Sequence, residues 1–351
     1  MTHPKIKCLV WDLDHTVWNG VLLEGDELAL RPGVRETIEA LDQRGILQSI
    51  ASRNETGPAL EQLRRFELEQ YFLHPQINWD AKSASIQRIA EQLNIGLDTF
   101  AFIDDQPFER DEVRFTLPVV RTYDAAEVEK LVAIEDFVPR VVTDDARRRR
   151  EMYQADQVRR EQESAFKGPS DAFLASLGMV LSVAPAEADD LARVEELVAR
   201  TNQLNTTGRI YSYEELDALR TSPDHRLLVA DLTDKHGPYG KIGTILLHCT
   251  REAWTVKLLL MSCRVMSRGV GGALITLLRR EARAAGVRLL ADFRATDRNR
   301  MMYITYKFAG FSEIGEANAD GVALLEGDLQ QIPELPSYLE LKSFWGEPAR
   351  A

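Results

Sequence analysis

Cys8-Leu9-Val10-Trp11-Asp12-Leu13-Asp14-His15-Thr16 is an apolar run that ends in two aspartates. The apolar residues predict a β-strand buried on both faces, with Asp12 at its C-terminal end. Asp14, at i+2, points the same way as Asp12 where the chain stays extended. The first carboxylate can attack phosphorus, and the second can handle the proton of the leaving group. An Asx-turn closing a strand would account for these residues taken alone. The rest of the chain argues otherwise.

Gly45-Ile46-Leu47-Gln48-Ser49-Ile50-Ala51 predicts a second buried strand, and it ends in Ser52-Arg53-Asn54. A hydroxyl and backbone N–H groups at that edge suit a phosphate oxygen, which makes Ser52 and Arg53 phosphate-binding candidates. Lys82 stands just ahead of a helical pattern (Ile86, Ile89, Leu93). A fixed ammonium there would neutralise the charge of nucleophile and phosphate together. Thr99-Phe100-Ala101-Phe102-Ile103 predicts another strand, capped by Asp104-Asp105. Together with Asp12 and Asp14, these carboxylates describe an all-oxygen Mg²⁺ site.

Strand, carboxylate pair, hydroxyl, lysine, carboxylate pair: the order resembles the four motifs of the haloacid dehalogenase (HAD) phosphatases, which open on DxDxT. Strands and helices alternate from Ile6 to about Tyr123, which predicts an α/β fold with a doubly wound, Rossmann-like, mainly parallel sheet. The candidate residues fall at strand C-terminal ends, where open α/β sheets bind ligands. Little chain separates the motifs, so no large cap domain is expected between them.

Composition fits an enzyme of two domains. The chain has 351 residues, 44% of them hydrophobic, enough for two cores. No run is long and apolar enough to cross a bilayer, and the N-terminus lacks a signal-peptide core, so no membrane association is expected. Three cysteines far apart in sequence point to a reducing, cytoplasmic location. A formal charge of −12 argues against nonspecific nucleic-acid binding.

The HAD-like segment is placed at residues 1–142. A charged segment at 143–169, with Arg147 to Arg150, Asp156, Arg159 and Arg160, predicts an exposed connecting helix. Residues 170–346 form the second domain, in a different order: strand Met179 to Val183, helix Asp189 to Thr201, then strands Arg226 to Asp231, Gly240 to His248 and Trp254 to Leu260. Arg268-Gly269-Val270-Gly271-Gly272-Ala273 opens a helix that runs to about Ala285. This Arg-x-x-Gly-x-Ala turn is similar to the pyrophosphate loop of the GNAT N-acetyltransferases, and it implies a GNAT-like α+β domain. Its glycines let backbone N–H groups approach a phosphate. Cys263 lies where the last of these strands ends, and Arg264 and Arg268 beside it favour a thiolate. A thiolate there would accept an acyl group. Cys8 and Cys249 lie inside apolar strand patterns and are expected to pack.

Over nearly its full length the chain resembles the FkbH-like family, in which a HAD segment of subfamily IIIC precedes a GNAT-like segment. The matching stretches are Trp11 to Gly20, Ile103 to Arg110, Arg200 to Asn205 and Met261 to Val270. His15 departs from the asparagine often found there. The resemblance implies a glyceryl transferase/phosphatase of polyketide biosynthesis. Such an enzyme takes D-1,3-bisphosphoglycerate, removes phosphate, and loads the glyceryl group on an acyl carrier protein as a precursor of methoxymalonyl-type extender units. By that resemblance Cys263 carries the acyl group and Asp12 the phosphoryl group, while Asp14 acts as acid and base. Mg²⁺ sits on Asp12, the Asp14 backbone, and Asp104 or Asp105. The loop with Arg264, Arg268, Gly269 and Gly271 binds the phosphopantetheine arm. A HAD phosphatase fused to an acetyl-CoA-dependent N-acetyltransferase is the alternative.

A base for Cys263 is sought along the neighbouring strand. A hairpin turning near Glu252 pairs His248 with about Val256, on the order of 20 Å along the sheet from Cys263. The same register sets Lys241 opposite Cys263, so His236 in the nearby loop is the candidate base. Asn202, Gln203 and Asn205 either orient the acyl group or arm, or cap a helix end.

Overall fold

The computed structural model describes residues 4–201 and 204–345. The chain divides between Gln157 and Val158 into two compact units. The division falls inside a helix, Arg149–Ala165, within the segment read from sequence as a linker.

In the first unit β1 (Cys8–Trp11), β2 (Leu47–Ser52), β3 (Gln76–Ile77), β4 (Phe100–Asp104) and β5 (Arg121–Asp124) form one sheet. Its order is β3-β2-β1-β4-β5, with every neighbouring pair parallel. Alternate residues of the central strands feed two cores. Leu9, Trp11, Ile50, Ala101 and Ile103 pack into one, and Cys8, Val10, Leu47, Phe100 and Phe102 into the other. A sheet covered on both faces favours apolar residues at every position, as in β1 and along Phe100 to Ile103 of β4; β2 departs from this with Gln48, which is buried and hydrogen-bonded to Trp11 and Ile38, and with Ser49. Because β1 pairs in parallel with both β2 and β4, the C-terminal ends of all three lie at one edge of the sheet. Only a short hairpin, Trp18–Asn19 with Ala29–Leu30, and the 3₁₀ turn Leu22–Glu24 within it lie between β1 and the helix Val34–Gln43, so no large cap intervenes there.

The second unit is an eight-stranded mixed sheet. In chain order its strands are β6 (Met179–Pro185), β7 (His225–Asp234), β8 (Gly237–Cys249), β9 (Ala253–Met261), β10 (Arg288–Arg294), β11 (Phe311–Glu313), β12 (Val322–Gly327) and β13 (Leu339–Ser343). The order across the sheet is β11-β12-β10-β9-β8-β7-β6-β13. The central β6 to β9 are antiparallel neighbours, and β9 pairs with β10 in parallel. That pairing covers only Ala253 to Val256, after which the two strands separate. The segment from Leu204 to Thr207 enters the gap: Thr206 N donates to Leu259 O at 3.2 Å, and Arg294 N donates to Thr206 O at 3.1 Å.

The expected exposed helix is corrected by both units. Arg149 is 7% exposed and donates to Gly45 O at 2.7 Å in the first. In the second, Arg159 is fully buried, gripping Asp234 with two hydrogen bonds of 2.8 and 2.9 Å and stacking 3.8 Å from the Tyr239 ring centre. Charge on a helix marks a solvated face only where no complementary group waits beneath it.

Candidate functional site

Asp12 follows β1 directly, and Lys82 opens α3 (Lys82–Leu93) opposite it. Lys82 Nζ donates to Asp12 Oδ1, donates to Ala51 O at 2.8 Å, and lies 3.3 Å from Asp104 Oδ2. Burial opposes the charge on this ammonium, but Asp12 and Asp104 outweigh it and hold the lysine protonated.

Asp104 ends β4, and Asp105 follows it. Ligand oxygens of Asp12, Asp104 and Asp105 all lie within 4.8 Å of one another. Asp105 Oδ1 is buried and accepts no hydrogen bond, and buried Asp104 Oδ2 has only the Lys82 ammonium, 3.3 Å away. Burial, and then the charge of Asp12, push the Asp104 carboxyl up to about 7 against the pull of Lys82. The same two causes raise Asp105. Clustered carboxylate oxygens short of donors are what a hard divalent cation satisfies, so the donor set fits Mg²⁺.

Asp14 is half-buried and held by three donors. Oδ1 accepts from Trp18 Nε1 at 2.8 Å and Leu22 N at 3.1 Å, and Oδ2 from Asn54 Nδ2 at 3.0 Å. Burial raises its pKa; the Trp18 and Leu22 hydrogen bonds restrain the rise. His15 has φ +54°, in the left-handed region, and its side chain is exposed. Asparagine enters that region more readily than most residues, which gives a backbone reason for the residue more often found there.

These groups open into a pocket of about 200 Å³ lined by Asp12, Asp14, Ser52, Arg53, Lys82 and Asp104, with Gln106 and Glu109 completing it. The HAD-motif candidates are thus brought together, Asp105 through its ligand cluster with Asp12. Asn54 and Glu109 carry no role in the sequence reading. Asn54 stood in the quoted Ser52-Arg53-Asn54 corner, whereas an acidic residue in a helix's first turn is expected from the helix dipole alone.

In the second unit Cys263 begins a single 3₁₀ turn, Cys263–Val265, after β9, and it is half-buried. Ser262 N donates to Ile242 O at 2.6 Å, which continues the β8–β9 register toward Lys241 opposite Cys263. His248 pairs with Thr255, one residue from the expected partner, because a bulge between Leu246 and Leu247 shifts the register. Arg264 Nη2 donates to Tyr239 O at 2.9 Å. Arg268 is 2% exposed and ion-paired with Glu163 at 3.0 Å. Gly269, at φ +73°, caps α9 (Val270–Ala285), and a Cβ on it would stand 2.5 Å from the Tyr338 hydroxyl. At Gly271 the clash would be with the end of Met261, 2.9 Å away.

Asn205 is 2% exposed, and its Oδ1 accepts from Thr207 N at 3.1 Å and Gly208 N at 2.9 Å. Its side chain therefore shapes the turn that follows the inserted segment. Asn202 lies outside the described residues, as does Gln203. His236 sits in the β7–β8 turn, its amide bonded to Asp234 Oδ1 at 2.8 Å and its Nε2 3.0 Å from Gln162 Oε1.

The strand orders and the carboxylate–lysine cluster decide the architecture. The first unit has the doubly wound, HAD-type fold expected from the sequence, and the second a GNAT-like α+β fold. No family model matches the chain. The chain is similar to Magnesium-dependent phosphatase 1 of Homo sapiens, 28% identical over 119 residues that span 28% of this chain and 68% of that protein. It is also similar to the structure of the N-terminal part of protein BF1531 from Bacteroides fragilis, which contains a phosphatase domain complexed with Mg. That likeness is 30% identical, covers 37% of this chain and 39% of the other, and has a TM-score of 0.32. A third likeness is to the ribosomal-protein-S18-alanine N-acetyltransferase of Escherichia coli, 16% identical over 44% of this chain and 97% of the other, with a TM-score of 0.34. Among the described residues no helix is long and apolar enough to cross a membrane.

Proposed function

We propose that the chain is a glyceryl transferase/phosphatase that uses D-1,3-bisphosphoglycerate and an acyl carrier protein. The observation that carries the phosphatase half is the convergence of Asp12, Lys82, Asp104 and Asp105 at one sheet edge, Asp105 with an orphaned oxygen. Mg²⁺ held by Asp12, Asp104 and Asp105 would offset the charge of the phosphoryl group. Asp12 attacks the phosphorus of the ester: an O–P bond forms to its carboxylate and the P–O bond to the substrate carbon breaks. Asp14 gives its proton to the departing oxygen. Burial, which raises Asp14, supports that role. The Asp14 carboxylate then takes a proton from water as the water oxygen attacks phosphorus. Asp12 is released, and inorganic phosphate leaves. Lys82 holds charge at Asp12 throughout, and Ser52 and Arg53 hold the phosphate oxygens.

For the transferase half, Cys263 as thiolate attacks the acyl carbon of the acyl phosphate. A C–S bond forms, the C–O bond to phosphate breaks, and inorganic phosphate leaves. The phosphopantetheine thiol of the carrier protein then displaces Cys263. The location of Cys263 between β9 and the glycine turn supports this reading. His236, whose Nε2 stands 3.0 Å from Gln162 Oε1, is the base to test. Arg264, Arg268, Gly269, Gly271, Asn202 and Asn205 remain the residues proposed around the phosphopantetheine and acyl group. Of these, Arg268 acts through the Glu163 pair that fixes the loop. The test is transfer: the enzyme, bisphosphoglycerate, Mg²⁺ and a phosphopantetheinylated carrier protein are mixed, and the carrier is weighed. A glyceryl increment that disappears with Cys263→Ala supports the proposal; an increment that survives the substitution contradicts it.

A second reading is an acetyl-CoA-dependent N-acetyltransferase in the second unit, with which the open space at Gly272 is equally compatible. A Cβ there would meet nothing within 4 Å, so the start of α9 has room for a pyrophosphate as well as for a phosphopantetheine phosphate. Acetyl-CoA consumption with an amine, unaffected by Cys263→Ala, would select it.

A further inference from the structure

The second unit brings two histidines together at one end of its sheet. His225 opens β7 and His248 stands next to the end of β8, and the register sets them directly opposite. Cys249 N donates to Asp224 O at 2.7 Å, whereas His225 N turns away to donate to Ser222 O at 3.3 Å. The hydrogen-bonded pair is therefore the neighbouring one, and the histidines occupy the narrow pair, where opposite side chains come closest. Their ring centres lie 4.9 Å apart at 40°. Leu227 and Leu246, two residues further in on each strand, belong to the core, so the rings stand at its solvent edge, both half-buried.

Two further features suit these imidazoles to a metal ion. His225 Nδ1 lies 3.0 Å from the Ser222 hydroxyl, which fixes the ring and leaves Nε2 for a ligand. Metal-binding histidines are oriented in this way through their second nitrogen. Burial, and then the neighbouring His248 and Lys257, lower the His225 pKa against the pull of Asp224. The imidazole is thus neutral at neutral pH, with its lone pair available. Lys257 itself is ion-paired with Asp292 at 2.9 Å, so its charge is compensated.

We propose that His225 and His248 form a second metal site, which takes a borderline divalent transition ion such as Zn²⁺ on two imidazole nitrogens and fills its remaining positions with water. Nitrogen ligands select against Mg²⁺, which prefers oxygen. The chain then carries two sites of different chemistry, carboxylates at the ends of β1 and β4 and imidazoles at the ends of β7 and β8. A bound ion would clip the ends of β7 and β8 together. This inference depends on neither the phosphatase nor the transferase reading.

The test is calorimetric titration of the full chain with Zn²⁺, in excess Mg²⁺ to hold the carboxylate site. Wild type, His225→Gln, His248→Gln and Ser222→Ala are compared. The wild type should bind a Zn²⁺ ion that either glutamine variant binds at least about tenfold more weakly, and freeing the His225 ring in Ser222→Ala should weaken it by about tenfold. The same ion should raise the melting temperature of the wild type and leave the glutamine variants unmoved. Zn²⁺ should also shield both histidines of the wild type from carbethoxylation, read by peptide mass, a measurement that needs no variant to fold. Zn²⁺ affinity that is the same in the wild type and both glutamine variants, or modification of His225 and His248 at an unchanged rate in Zn²⁺, overturns the proposal.

Discussion

Asn54 Nδ2 donates to Asp14 Oδ2 at 3.0 Å, tying the end of β2 to the segment after β1. The other oxygen of Asp14 is occupied by Trp18 and Leu22. Asp14 is thereby held in one orientation at the pocket, as a proton-transfer group must be. Hydrogen bonds that orient it also favour its charged form, those from Trp18 and Leu22 above all, which sets two effects against one another: burial raises the carboxyl, and donors bring it back.

Asn54→Ala removes one of those donors. The Asp14 pKa should rise further, moving both limbs of the pH–rate profile for phosphate release to higher pH. Loss of fixed geometry should lower kcat by about 10- to 100-fold. An unshifted profile with unchanged kcat would show that Asp14 does not move the proton.

Asp104 gives a linked dependence on pH and metal. Its carboxyl, raised by burial and by Asp12, titrates at about 7 in the folded protein without metal. The unfolded chain titrates near about 3.9. The folded state therefore keeps a proton that the unfolded state has lost, and stability falls as pH rises from about 4 to about 7, levelling above that. Mg²⁺ needs the ionised carboxylate, so its affinity should rise up to about tenfold per pH unit below about 7. Melting temperatures with chelator and with Mg²⁺ across this range check it: the stabilisation by Mg²⁺ should grow with pH and then plateau. A constant stabilisation across the range contradicts the assignment.

Arg159→Met leaves Asp234 buried without its guanidinium. Both side chains are fully buried, and removing one member of such a pair costs about 3–5 kcal/mol. Arg147→Ala, on the same charged stretch but half-exposed, should cost under about 0.5 kcal/mol. Denaturant unfolding of the two variants measures the contrast, and equal effects would mean that the Arg159 pair is not needed for stability.

Two glycines at the start of α9 should respond oppositely to alanine. At Gly269 the backbone has φ +73° and the new Cβ would meet Tyr338, so Gly269→Ala should destabilise by about 1–3 kcal/mol. Gly272 lies inside the helix with open space around it, and Gly272→Ala should stabilise by about 0.5–1 kcal/mol. Thermal unfolding distinguishes them. Slower acyl transfer in the stable Gly272→Ala protein would indicate that its open space is used by the phosphopantetheine arm.

What the sequence made legible follows from how each feature is encoded. β1 and β4 are buried on both faces, so their apolar runs are plain in the sequence, and a carboxylate ending such a run stands out; β2, with Gln48 and Ser49 inside it, is less clearly marked. The Lys82 position was readable because a helix pattern begins at it. The fate of the charged helix was not readable, since Arg147 and Arg159 look alike in sequence and only the fold supplies Asp234 to one of them. The gap between β9 and β10 depends on a parallel pairing that stops at Val256, and no local pattern announces that the segment around Thr206 fills it. Glu109 was hidden for a different reason: an acidic first turn is ordinary, and only its place in the pocket wall and its ion pair with Arg53 separate it from a surface charge.

The most direct measurement is the intact mass of the enzyme after mixing with 1,3-bisphosphoglycerate and Mg²⁺, with Cys263→Ala and Asp12→Asn alongside. A covalent glyceryl adduct on the wild type, a phosphoglyceryl adduct on Asp12→Asn, and none on Cys263→Ala are the results this account predicts. A wild type and Cys263→Ala that both stay unmodified while releasing phosphate would contradict the cysteine route and leave the HAD-type unit acting alone.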